Sequence, residues 1–224
     1  MDIHYFLCSR ITFIRQFYGS ASAPFVERKR KIKAQEEPFV PPYSEDGEPP
    51  FLNEWMEADE SLHILAYSCI SMLASALHLF LEAWVGQSDV TINESLRKVF
   101  KSDGWFSGYN AHFTNRFGVS FSNGPADLRV LEEIILARNR IEHPNSITEQ
   151  KTQYSKSDMR KLSYPLFVDN TEIALLNLSE DGEPRWFMPP TINVSESQLL
   201  AAVAEVERFA GWFDTEIGRI VYAR

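Results

Sequence analysis

Between Ser61 and Leu81 the chain runs 21 residues without an Asp, Glu, Lys or Arg. Its few polar positions are ordered. Ser61, Ser68, Ser71, Ser75, His78 and Glu82 follow one another at steps of seven, three, four, three and four, so they share one face of a helix. Leu62, Leu65, Cys69, Met72, Ala76 and Leu79 repeat in alternating steps of three and four, the pattern of a helix packed in a bundle. The pattern predicts a helix over about 58 to 86, buried except along a narrow polar seam. A stretch of this length can cross a bilayer. A lipid-exposed helix has no use for the seam, so no membrane association is expected.

Shorter helices are predicted over Ile92 to Lys101 and Trp105 to Phe117, parted by Asp103-Gly104. Trp105, Phe106, Tyr109, Phe113 and Phe117 recur at helical spacing and read as core. Ser122-Asn123-Gly124-Pro125 announces the next helix, and Asp127 suits the positive end of its dipole. That helix runs to His143, because the residue before Pro144 avoids the α conformation. Ile173 to Leu178 alternates, Asp181-Gly182 signals a turn, and Arg185 to Met188 can return, so a small β-hairpin is expected within about 164 to 190. Ser195 and Gln198 stand in capping-box spacing ahead of Leu199, Val203, Val206, Ala210, Phe213 and Ile217, which predicts a long amphipathic closing helix. The fold class is therefore mainly α, a helical bundle with a hairpin inserted before its last helix.

Residues 1 to 50 look different. Arg28 to Lys33 is a basic run, and Pro38, Pro41, Pro42, Pro49 and Pro50 follow it, a composition that reads as a tether. The expected division is an N-terminal extension and Pro-rich linker over 1 to 50 and a helical domain over 51 to 224. The basic run reads as a solvated linker, with an RNA-contacting arm as the alternative. Arg10 and Arg15 interrupt the first apolar run, so a signal peptide and export are not expected.

Length and composition, 224 residues with 44% apolar, permit a sizeable core. Cys8 and Cys69 stand far apart without metal-ligand spacing, so neither a disulfide framework nor a zinc site is indicated, and a reducing cytoplasm is the natural setting. The net charge is -9. Residues 1 to 50 carry seven basic and seven acidic side chains, leaving 22 - 7 = 15 basic and 31 - 7 = 24 acidic for the rest. A protein that coats nucleic acid needs more Lys and Arg than this, so any nucleic-acid contact is local.

Chemistry concentrates in the segment LARNRIEHP, which holds Arg138, Asn139 and His143. Glu132, Leu136, Asn139 and His143 recur at four, three and four, which puts Asn139 one turn below His143 where it can orient the ring. Arg138 sits on the flank with a long stem. A helix C-terminus favours a cationic imidazole, which suits a general acid or a cation facing phosphate. The bland reading pairs Arg138 with Glu142 or Glu133 and leaves His143 as a helix cap.

With its Arg, the following Asn, and a His five residues after the Arg near the end of a helix, the chain resembles the HEPN superfamily over roughly residues 55 to 222. That resemblance implies a metal-independent endoribonuclease: the RNA 2′-hydroxyl attacks the adjacent phosphorus, His143 moves protons, and Arg138 stabilises charge on the phosphorane. It implies no cofactor, a homodimer that sets two motifs around one phosphate, and a toxin-antitoxin, phage-defence or stress-response setting with an antitoxin or regulatory protein as partner. Some HEPN toxins carry a tyrosine two residues after the histidine as a modification site. Asn145 stands there instead, so that regulation is not expected. The alternative is a non-catalytic HEPN-like interaction or nucleotide-binding module. His63 and His78 read as packed or surface histidines, His112 could approach the cleft although nothing in its spacing requires it, and Asp89, Asp103 and Asp127 form no metal-ligand pattern.

Overall fold

In a computed structural model of the chain, residues 2–42, 49–87, 94–144, 151–162, 164–176 and 190–223 are described. The helices are α1 (Ile3–Ala34), α2 (Leu52–Gln87), α3 (Glu94–Ser102), α4 (Trp105–Phe117), α5 (Leu128–Glu142), α6 (Lys156–Met159), α7 (Asn170–Leu176) and α8 (Glu196–Val221), with one 3-10 turn at Phe121–Asn123. The protein is mainly helical, as the periodicities predict.

The first departure is at the N-terminus. Residues 3 to 34 form one continuous helix, in which Ile3, Leu7, Ile11, Ile14 and Tyr18 make a buried stripe against the core. These positions step by four, four, three and four, so one face is apolar, and burying each such side chain contributes about 1.5–3 kcal/mol. The tether reading of residues 21 to 34 is thereby corrected. Although Pro24 removes one backbone donor, the helix continues past it. Its last turns are held from outside: Lys29 pairs with Asp59 and lies 4.2 Å over the Trp55 ring, Arg28 meets Glu57, and Arg30 is gripped by Glu27 and Glu36. Three of the five cations of the basic run are thus committed to carboxylates.

α2 is the spine. Its buried residues cover most of its circumference, from Ala58 and Leu65 to Phe80, Leu81 and Trp84. Among the described residues it is the one helix long and apolar enough to cross a membrane, and 56% of that apolar stretch is buried inside the protein, as in a core helix. α1 runs antiparallel to it, with Lys29 beside Asp59 at one end and Ile3 beside Phe80 at the other. α5 and α8 complete a four-helix bundle around α2, and α8 is tied to α1 by two 2.6 Å hydrogen bonds from Arg15 to Glu207. α4 and the 3-10 turn close one end with aromatic rings: Phe113 and Phe121 meet Phe209 and Phe213 of α8 at centroid distances of 4.8 to 5.5 Å. Gly108 is required there, because a Cβ at this position would stand 2.3 Å from the Phe100 ring.

The local signals at helix starts behave as read. Asp127 caps α5 by accepting the Arg129 N–H, and Ser195 and Gln198 form the reciprocal capping box of α8. The hairpin is not borne out. Residues 173 to 176 lie in α7, whose start is fixed by the Asp169 side chain accepting the Thr171 N–H at 2.8 Å. The return from Arg185 to Met188 lies outside the described residues, as do Ile92, Asp181-Gly182 and Asn145. Among the described residues the one extended pairing is an isolated antiparallel bridge between Gln153 and Thr191.

Candidate functional site

α5 presents two unlike faces. Leu131, Glu133, Ile134, Ile135 and Ala137 turn inward, while Asn139, Glu142 and His143 are exposed at its C-terminal end. Glu133 is the exception on the buried face, a carboxylate only 2% exposed. It accepts hydrogen bonds from the Tyr154 hydroxyl at 2.8 Å and from the backbone N–H groups of Leu166 and Phe167 at 2.6 and 2.7 Å. Burial pushes its carboxyl above the ordinary range against these three donors. Its part is to pin the segment after α6 onto α5. Two turns on, Arg140 holds Asp158 of α6 at 2.6 Å. Burial alone would raise Asp158, but the Arg140 guanidinium and the Ser155 N–H and hydroxyl prevail and hold it below the ordinary carboxylate range.

The motif sits just beyond this anchored stretch. Arg138 Nη1 donates to Asn139 Oδ1 at 3.1 Å, and Arg138 Nη2 meets Glu142 at 2.5 Å. His143 is the C-cap residue, its backbone N–H bonded to the Asn139 carbonyl at 3.2 Å, while its ring is exposed and makes no hydrogen bond among the described residues. Asn139 therefore orients Arg138 rather than the His143 ring. The Arg138–Glu142 pair matches the bland reading in its contact. Both side chains are one-third exposed, and an i,i+4 pair in such a setting contributes only about 0.3–0.5 kcal/mol, so an incoming phosphate can displace the carboxylate at little cost.

A cleft of about 480 Å³ opens beside this helix end. It is lined by Ser71, Met72 and Ser75 of α2, by Arg10 and Phe13 of α1, and by Glu142 of α5. Two residues of the polar seam of α2, Ser71 and Ser75, thus line it. Further along the seam, burial pushes the His78 imidazole down, Glu82 opposes this, and the Arg138 charge reinforces it, so His78 and Arg138 share one electrostatic neighbourhood. The His78 Nε2 is 3.4 Å from the Tyr109 hydroxyl and its ring packs edge-on against Trp105.

His112 does not approach the motif. It is buried at 1% exposure between Phe113 and Phe117, and burial and Arg116 push it toward the neutral form. The His63 Nδ1 lies 2.9 Å from the Asp59 carbonyl, beside the Lys29 pair.

Two features escaped the sequence reading. Phe6, Arg10, Phe13 and Phe17 step by four, three and four along the flank of the buried stripe of α1, a pattern that only matters once residues 3 to 34 are taken as a helix. His4 and Cys8 stand one turn apart with the sulfur 3.5 Å from Nε2. Burial, with Glu207, Asp2 and Asp214 nearby, pushes the Cys8 thiol up, which disfavours a thiolate nucleophile. Among the described residues no group of three or more His, Cys, Asp or Glu could hold a metal ion. Set against family models, curated proteins and solved structures, the chain matches none of them.

Proposed function

We propose that the chain is a metal-independent endoribonuclease of the HEPN type, with Arg138, Asn139 and His143 as its working residues. The observation that carries this reading is the grouping at the end of α5. An arginine oriented by the neighbouring asparagine, and an exposed imidazole with no hydrogen-bonding partner among the described residues, stand together at the end of α5, and Glu142, the ion-pair partner of that arginine, lines a cleft. Arg138 would leave Glu142 for the scissile phosphate and stabilise its developing charge, and His143 would carry the proton to the leaving 5′-oxygen. A second copy of the chain would bring another Arg138 and His143 to the same phosphate. That arrangement would let a protein of net charge -9 hold an anion. A toxin, phage-defence or stress-response role in the cytoplasm, with a regulatory protein as partner, belongs to the same proposal.

The test is incubation of the purified protein with total RNA and a labelled oligonucleotide in EDTA, beside Arg138→Ala and His143→Ala. Cleavage that leaves 2′,3′-cyclic phosphate ends and is lost in both variants is the expected result. The Arg138–Glu142 pair and the capping position of His143 favour a second reading, a non-catalytic interaction or nucleotide-binding module. RNA degradation equal in wild type and variants would transfer the assignment to that module.

A further inference from the structure

The stripe Phe6, Arg10, Phe13 and Phe17 lies next to the buried face of α1 yet is not covered. Phe13 is 57% exposed and Phe6 53%, and the Phe13 and Phe17 rings are stacked at 5.9 Å with their planes 12° apart. Arg10 lies between Phe6 and Phe13 in sequence and lines both the 480 Å³ cleft and a smaller one of about 280 Å³ that continues toward Phe6 and Leu79. Unlike Arg15, Arg138 and Arg140, which are all held by carboxylates, Arg10 has no ion pair or hydrogen bond among the described residues. A cation without a carboxylate, set between exposed aromatic rings in an acidic protein, calls for an occupant that offers both a flat ring and a negative charge.

We propose that this cleft binds one nucleotide of single-stranded RNA. The base extends the Phe13–Phe17 stack, the phosphate sits on the Arg10 guanidinium, and Ser71 and Ser75 meet ribose or base edges. The chemistry of the walls selects this occupant. An apolar helix from another chain would bury the Arg10 charge without a partner, which is costly, and would leave the cleft hydroxyls unsatisfied. A base and its phosphate satisfy rings, cation and hydroxyls together, and base–aromatic stacking tolerates any sequence because every base has a π-face. Glu142, which also lines the cleft, is neutralised by Arg138, so the strand would run from Arg10 to the helix end. The proposal rests on the ribonuclease reading only for what happens to the strand at that end.

The experiment measures anisotropy of a fluorescent single-stranded RNA oligonucleotide titrated with the full chain, with cleavage followed in parallel, for wild type, Arg10→Ala, Phe13→Ala, Phe13→Trp and His143→Ala. All three substituted side chains are exposed, and circular dichroism checks that each variant is folded. Arg10→Ala and Phe13→Ala should each weaken binding by about tenfold, while Phe13→Trp retains it; His143→Ala serves as the control for cleavage. Binding by both alanine variants within twofold of wild type, or no binding by wild type, overturns the proposal. Displacement of the oligonucleotide by adenosine monophosphate at equal nucleotide concentration also overturns it, in favour of a free-nucleotide pocket. The two readings fail separately. Cleavage lost in His143→Ala but intact in Arg10→Ala and Phe13→Ala leaves the nuclease without this cleft, and binding through Arg10 and Phe13 with no cleavage leaves the cleft without the nuclease.

Discussion

Glu133 shows how a single residue can sit beside a motif and serve another purpose. Its Oε1 accepts from Tyr154 and Phe167 and its Oε2 from Leu166, so both oxygens are occupied by donors. Glu133→Gln keeps the volume but sets an amide N–H against the Leu166 N–H, and a buried donor without an acceptor costs about 1–3 kcal/mol. Urea unfolding should register a loss of that size. The pH dependence has a defined sign. Burial raises the folded carboxyl above its ordinary value of 4.5, so its contribution to stability is full below 4.5 and is lost as pH rises through the raised value. The advantage of wild type over Glu133→Gln should therefore shrink from acid toward neutral pH. An advantage that grows instead would mean that the three donors outweigh desolvation. Spacing on α5 marked Glu133 only as a possible partner for Arg138, because its true partners lie 21 and more residues away in the chain.

At the scale of the element, signals contained within a few residues were legible and those supplied by distant elements were not. The caps of α5 and α8 are local chemistry, a side-chain oxygen accepting an N–H two or three residues on, and they fall where Asp127 and Ser195 predict. α1 is the opposite case. Pro24 and the run Glu27 to Lys33 argue locally against a regular helix, and what overrules them is Asp59, Trp55 and Glu57, presented by α2. The stripe Ile3, Leu7, Ile11, Ile14 and Tyr18 was present in the sequence, but it has value only when α2 offers a surface for it. α7 was misread because a run as short as Ile173 to Leu178 fits either period, and the deciding feature was Asp169, one residue ahead of the helix. The part of the candidate site carried by α5 was readable as a motif, whereas the part carried by α1 depended on recognising the helix. If α1 belongs to the core, Ile11→Ala, at a position only 1% exposed, should cost about 2–5 kcal/mol in urea unfolding. A cost near zero would return residues 1 to 34 to the status of an appendage.

For the whole molecule, the charge distribution sets how the proposed RNA strand would have to be held. With 31 acidic and 22 basic side chains, and with Arg15, Arg28, Arg30, Arg138 and Arg140 already paired to carboxylates, little of the surface can follow a phosphate backbone. The proposed path uses two cations, Arg10 at the cleft and Arg138 at the helix end, some distance from the committed run at the end of α1. Each phosphate neutralised on a single strand contributes roughly -0.7 to the slope of log K against log salt, so one chain engaging two phosphates should show a slope of roughly -1.4. Removing Arg10 should bring it close to -0.7, whereas removing Phe13 should lower affinity and leave the slope alone, because stacking releases no counterions. A wild-type slope steeper than about -4 would require several more cations than this surface aligns, and would move the RNA path away from the cleft altogether.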